Sequence, residues 1–91
     1  EMVNYNNRSG QLDGTFAAES NIVTAIRNKH KLNDFKGFIY LRIEAAAGTA
    51  FTLNGEEFHI RSTGIYELRS PMYVTDFSFP QETSALLDYI Y

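Results

Sequence analysis

The tightest constraint on the fold is one dipeptide. Asn54-Gly55 lies between two runs of alternating apolar and polar residues. Both central positions of a two-residue type I′ hairpin need positive φ, which Asn and Gly tolerate best. Accepting that turn fixes the register of the segment from Thr49 to Ile60. Leu53 then faces Glu56, Phe51 faces Phe58 and Thr49 faces Ile60, so Phe51, Leu53, Phe58 and Ile60 share one face. Ala50, Thr52, Glu57, His59 and Arg61 share the other. An apolar face backed by a polar one is what a hairpin lying on a core requires.

Strand signals continue on either side. Phe38 to Ala45 alternates, with Ile39, Leu41, Ile43 and Ala45 on one face and Phe38, Tyr40, Arg42 and Glu44 on the other. Gly48 marks a turn. Gly64 introduces Ile65 to Arg69, which stops at Ser70-Pro71 because proline has no amide hydrogen to offer a ladder. Met72 to Phe79 reads as a further strand with Tyr73, Thr75, Phe77 and Phe79 on one face, and Pro80 closes it. The polar stretch Gln81 to Ser84 leads to a last strand, Ala85 to Tyr91. Short, regularly spaced strands predict an all-β domain, a small antiparallel sandwich or jelly-roll-like barrel of about six or seven strands.

The N-terminal third reads differently. Residues 1 to 14 are rich in Asn and Gly and end in Asp13-Gly14, which predicts an arm or linker ahead of a single β-rich domain over residues 15–91. Met2, Val3 and Tyr5 are not the residues of a purely solvated tail, and such an arm could complete a neighbour's sheet edge. From Phe16 to Leu32 two periods compete. Ala18, Ile22, Ile26 and Lys29 fit helical spacing, while Ile22, Thr24 and Ile26 fit a strand. Ala17, Ala18 and Ala25, a capping Ser20, and Lys29 and Lys31 near the C-terminal end favour a short helix.

Composition narrows function. A chain of 91 residues is one small domain, and a flat contact suits it better than an enclosed small-molecule pocket. With no cysteine, a disulfide framework, a thiolate zinc site and a cysteine nucleophile are all excluded. A net charge of −3 with interspersed signs gives no field for nucleic acid or an anionic membrane. No apolar run approaches the roughly 18 residues of a membrane span, and EMVNYNNRSG lacks the regions of a signal peptide. The start at Glu1 fits a processing boundary.

No catalytic, metal or cofactor-binding residue is expected. The glycines fall at turn positions and none forms a phosphate loop. His30 and His59 stand in no metal-ligand spacing. Ser62, Ser78 or Ser84 with a histidine and Asp76 or Asp88 has no supporting motif for a triad. Glu56 and Glu57 read as solvated residues beside a tight turn. Arg27, Lys29, Lys31 and Lys36, with His30 and Phe35 among them, form the nearest thing to a nucleic-acid patch, but Asp34 and the acidic remainder weaken it.

The tyrosines say more. Tyr40, Tyr66, Tyr73, Tyr89 and Tyr91 recur on expected strands, and a domain this small is not expected to bury all of them with their hydroxyls satisfied. They are therefore the candidate interaction surface, for an identical subunit or another structural protein, or alternatively for a glycan stacked on Tyr40 or Tyr66.

The stretch FTLNGEEFHIRSTGIYE (Phe51 to Glu67), then VTDFSF (Val74 to Phe79) and the ending LLDYIY (Leu86 to Tyr91), resembles small β domains of phage- or prophage-encoded structural proteins of Gram-positive gut bacteria. The resemblance covers about half of the chain. It implies a tail- or fibre-associated virion component, found in the virion or the bacterial host cytoplasm, that self-associates or decorates a larger assembly. It brings no catalytic residues with it.

Overall fold

A computed structural model describes residues 8–91 of the chain. In chain order the elements are β1 (Ser9–Phe16), α1 (Ile22–His30), β2 (Tyr40–Glu44), β3 (Ala50–Leu53), β4 (Glu56–His59), β5 (Ile65–Leu68), β6 (Phe77–Ser78) and β7 (Thr83–Ile90). They form two sheets, one ordered β1-β7-β2-β5 and the other β4-β3-β6, with every pairing antiparallel. This is the sandwich-like all-β domain with one short helix that the sequence predicts.

The hairpin forms as read. Asn54 and Gly55 have φ of 53° and 85°, Leu53 pairs with Glu56, and Phe51 pairs with Phe58. The Ile60 amide extends the ladder by donating to the Thr49 carbonyl. Phe51 and Leu53 point into a core shared with Leu41 and Ile43 of β2 and with Ala85, Leu87 and Tyr89 of β7. The two sheets meet through aromatic edges: the Phe51 ring lies 4.9 Å from that of Tyr66 on β5, and Phe38 lies 6.3 Å from Phe77 on β6.

Ser9–Phe16 is a strand of the domain, where the composition of residues 1 to 14 suggested an arm. All eight of its residues are in register with β7, from Ser9 opposite Ile90 to Phe16 opposite Thr83. Phe16 packs on Phe79 at 5.7 Å. Asp13-Gly14 lies within that strand. Tertiary pairing with a long apolar partner has overridden a local turn composition. Met2, Val3 and Tyr5 lie outside the described residues.

β1 and β2 both run antiparallel to β7, hence parallel to each other, and α1 lies in the crossover between them. The helical alternative for residues 17–30 is the one realised, with Ile22, Val23 and Ile26 in the core. Its cap is Asn21 and not Ser20. The Asn21 Oδ1 accepts from the Val23 amide at 3.0 Å, while the Ser20 hydroxyl donates back to the Ala17 carbonyl. Arg27, Lys29 and His30 fill the last turn, where the helix dipole favours cations. Lys31 is the C-cap in a left-handed conformation.

Two further departures have physical causes. Phe38 is buried and Ile39 is 51% exposed, the reverse of a continuous alternation. Phe38 exchanges both main-chain hydrogen bonds with Met72, whereas the next amide, that of Ile39, turns to the Ile90 carbonyl. The chain changes partner between the two residues, and the side-chain phase slips with it. Likewise Met72 to Phe79 is not one strand, since only Phe77–Ser78 pairs regularly with β3.

Side chains hold the irregular part of that segment. Asn54 Nδ2 donates to the Tyr73 carbonyl at 2.8 Å, and its Oδ1 accepts from the Thr75 amide at 2.9 Å. From the other side Asn21 Nδ2 donates to the Thr75 carbonyl at 3.1 Å, and its Oδ1 also accepts from the Phe77 amide. The Asn54 amide donates to the Asp76 carbonyl.

Asn54→Gly keeps the positive φ but deletes the side-chain bonds. The expected loss is about 1–3 kcal/mol, above the ~0.4–1 kcal/mol that glycine's unfolded-state entropy accounts for. It should read out as a lower urea midpoint at unchanged slope. A wild-type midpoint would show that the Tyr73–Phe77 path does not depend on Asn54.

Candidate interaction surface

The five candidate tyrosines do not share a surface. Tyr89 points inward from β7 and is 2% exposed, so it belongs to the core and not to a contact face. Its hydroxyl is satisfied there by His30 Nε2 at 2.8 Å, a partner that strand patterning alone could not supply. Tyr66 is half-buried, its ring against Phe51 and Phe58. Tyr40 lies on the outer face of the four-stranded sheet and donates from its hydroxyl to Glu67 at 2.7 Å. Tyr91 is half-buried at one end of the sandwich. Tyr73, at 66%, is exposed to solvent.

Tyr73 and Tyr91 do come together. A hollow of about 330 Å³ is lined by Ile39, Pro71, Met72, Tyr73 and Tyr91 together with Arg8 and Lys36. A second hollow of about 340 Å³ adjoins it, sharing Arg8, Lys36, Gly37 and Tyr91 and adding Leu32, Asp34 and Phe35. Arg8 is fixed: its Nε and Nη2 donate to the Tyr91 main-chain oxygen at 3.1 and 2.8 Å, and its guanidinium lies 5.4 Å from the centre of the Tyr91 ring. Ile39 enters this site because of the phase slip beside Phe38, and Tyr73 because its carbonyl is held by Asn54.

Other groups are engaged elsewhere. The outer face of the four-stranded sheet carries Gln11 bonded to Asp88 at 2.8 Å, Arg42 at 3.6 Å from the same carboxylate, and Arg69 at 2.9 Å from Glu67. The two hydrogen bonds that Glu67 accepts, from Tyr40 and Arg69, hold its carboxyl below the usual range, and the Tyr40 phenol is raised by the same contact. Of the basic stretch, Arg27 donates to the Asn33 carbonyl and Lys29 to that of Gln11. Phe35 is buried against Phe38, so it offers no stacking platform. Ser78 bonds Thr52, Ser84 bonds Thr15, and His59 faces Glu57 at 3.2 Å. No histidine meets a serine hydroxyl in these pairings. Among the described residues, no three His, Asp or Glu side chains gather where they could hold a metal ion. An open cleft of about 650 Å³ has a mixed lining, with Glu57, Gln81, Glu82 and Ser84 beside Ala46, Ala50 and Pro80.

Comparison with protein-family models, with curated proteins and with solved structures finds no match to this chain.

His30 ties the end of α1 to β1 and β7. Its ring lies 5.7 Å from Tyr89 and 5.0 Å from Tyr91, and Gly10 passes so close that a Cβ there would lie 2.6 Å from both His30 Nε2 and the Tyr89 hydroxyl. Burial first, then the neighbouring Lys29, lowers the His30 pKa below its ordinary 6.5. Burial, with a contribution from Tyr91, pushes the Tyr89 phenol up to about 12. A histidine whose folded pKa is depressed leaves stability intact above pH 6.5 and withdraws it as pH falls from there through the folded value. Urea midpoints measured between pH 7.5 and 5 should therefore decline with acidity in the wild type and stay flatter in His30→Gln. Parallel declines would assign the effect to other groups.

Proposed function

We propose that this chain is a non-catalytic assembly domain that acts through protein–protein contacts, with the hollow around Ile39 and Tyr73 as its contact site. The observation that carries the reading is the joint exposure of two large apolar side chains, Ile39 at 51% and Tyr73 at 66%, in one concavity with Pro71, Met72 and Tyr91. An apolar centre containing tyrosine and bordered by basic groups has the anatomy of a contact patch, where aromatic anchors supply most of the energy. The resemblance of FTLNGEEFHIRSTGIYE and the segments after it to phage structural domains suggests a virion or prophage component as the setting.

A photoreactive phenylalanine analogue in place of Tyr73, in cells that make the protein, should give one defined protein adduct, self or foreign, that disappears when Ile39→Asp is added. Adducts spread over many proteins, or none, would overturn the assembly reading.

The second reading is glycan binding. It draws on Tyr40, Gln11, Asp88 and Ile90, which line a shallow hollow of about 490 Å³ beside β1 and β7. A tyrosine ring next to planar polar groups is the chemistry that sugar rings use. Retention of the purified protein on a glycan array, lost on Tyr40→Ala, would favour it; an empty array would leave the assembly reading alone.

A further inference from the structure

We infer that the partner at this surface is a second copy of the chain, the two copies meeting about a two-fold axis. The inference rests on the proposal that the hollow is a protein contact.

A two-fold interface uses the same patch on both subunits, so the patch must complement itself in shape and in charge. This one does both. Tyr73 is 66% exposed, and the hollow it lines adjoins the second one of about 340 Å³, whose lining includes Leu32 and Tyr91. A projecting ring adjoining a recess of more than ring size is the pairing that a two-fold operation exchanges, so that each copy's ring enters the other's recess. The same hollow is also lined by Asp34 and Lys36, both exposed, of opposite sign and two residues apart. Neither has a hydrogen-bonding or ion-pair partner among the described residues, whereas Arg42, Glu67, Arg69 and Asp88 on the sheet face are all paired. An axis passing between Asp34 and Lys36 sets the acid of each copy against the base of the other, twice per dimer. A foreign partner would need to supply both charges and a matching ring, while a second copy carries them by construction of its own sequence.

Light scattering of the purified chain over a concentration range tests this. The mass should rise from 10.4 kDa toward twice that value as concentration increases. Asp34→Lys and Lys36→Asp each place like charges face to face twice and should weaken self-association by about tenfold or more. The double exchange, Asp34→Lys with Lys36→Asp, should restore it to near the wild-type constant, and because both positions are exposed the fold should be unaffected, as circular dichroism would check. Constant monomer mass, or a dimer indifferent to either single reversal, would overturn the inference. A monomer that still gives one foreign adduct through position 73 would remove only the second copy and leave the contact site standing. Failure of both measurements would remove the site itself.

Discussion

The main chain from Tyr73 to Phe77 passes from the edge of one sheet to the other without a regular ladder, and the amides of two asparagines take the ladder's place. Asn21 and Asn54 both serve local roles, one as a helix cap and the other in a hairpin turn, and each spends its remaining hydrogen-bonding capacity on this segment. Buried or half-buried main-chain groups must find partners, so a connection of this kind is stable only where side chains reach it. The consequence is geometric. With Thr75 held by both asparagines and the Phe77 amide by Asn21, Val74 and Phe77 are driven into the core while Tyr73 is left outside.

Around that clasp the core closes with few polar intrusions. Among the described residues, the buried ones are all apolar or aromatic apart from the Tyr89 hydroxyl, which His30 satisfies. The helix is rich in β-branched residues and has only modest intrinsic propensity. Its stability comes from the cap at one end, the burial of Ile22, Val23 and Ile26 along its length, and the His30 contact with β7 at the other. The same contact requires a residue without a Cβ at position 10. One interaction between residues 59 apart thus determines a glycine in a strand that composition alone marks as a loop.

The parts of the fold legible in the sequence are those whose conformation is decided locally. The Asn54-Gly55 turn specifies its φ values through residue type, and period-two alternation then carries the register outward to Phe51, Phe58 and Ile60. What could not be read depends on distant partners. Ser9–Phe16 becomes a strand because β7 is there to pair with it. The switch from buried Phe38 to exposed Ile39 follows from Met72 and Ile90 competing for adjacent residues. The candidate site shows the same limit. The tyrosines were recognisable as surplus aromatic surface, but Tyr89 is sequestered by a histidine on the helix, and Ile39, which alternation puts on one face with Leu41 and Ile43, is the residue that completes the patch with Tyr73.

The contact proposed at that end is consistent with the edges and faces of the sandwich. Exposed strand edges invite pairing, and charge or brevity blunts them. The edge strand β4 carries Glu56, Glu57 and His59, β6 has only two residues, and β5 runs into Ser70 and Pro71. On β1, Lys29 occupies the Gln11 carbonyl. The outer face of the four-stranded sheet is spanned by paired side chains, which a partner would have to desolvate for little return. At the Ile39 and Tyr73 end the balance reverses. Apolar area is available for burial, the guanidinium of Arg8 is already fixed by Tyr91, and Asp34 and Lys36, which have no partner among the described residues, are of opposite sign. Burial of that apolar surface would break few of the side-chain contacts described above.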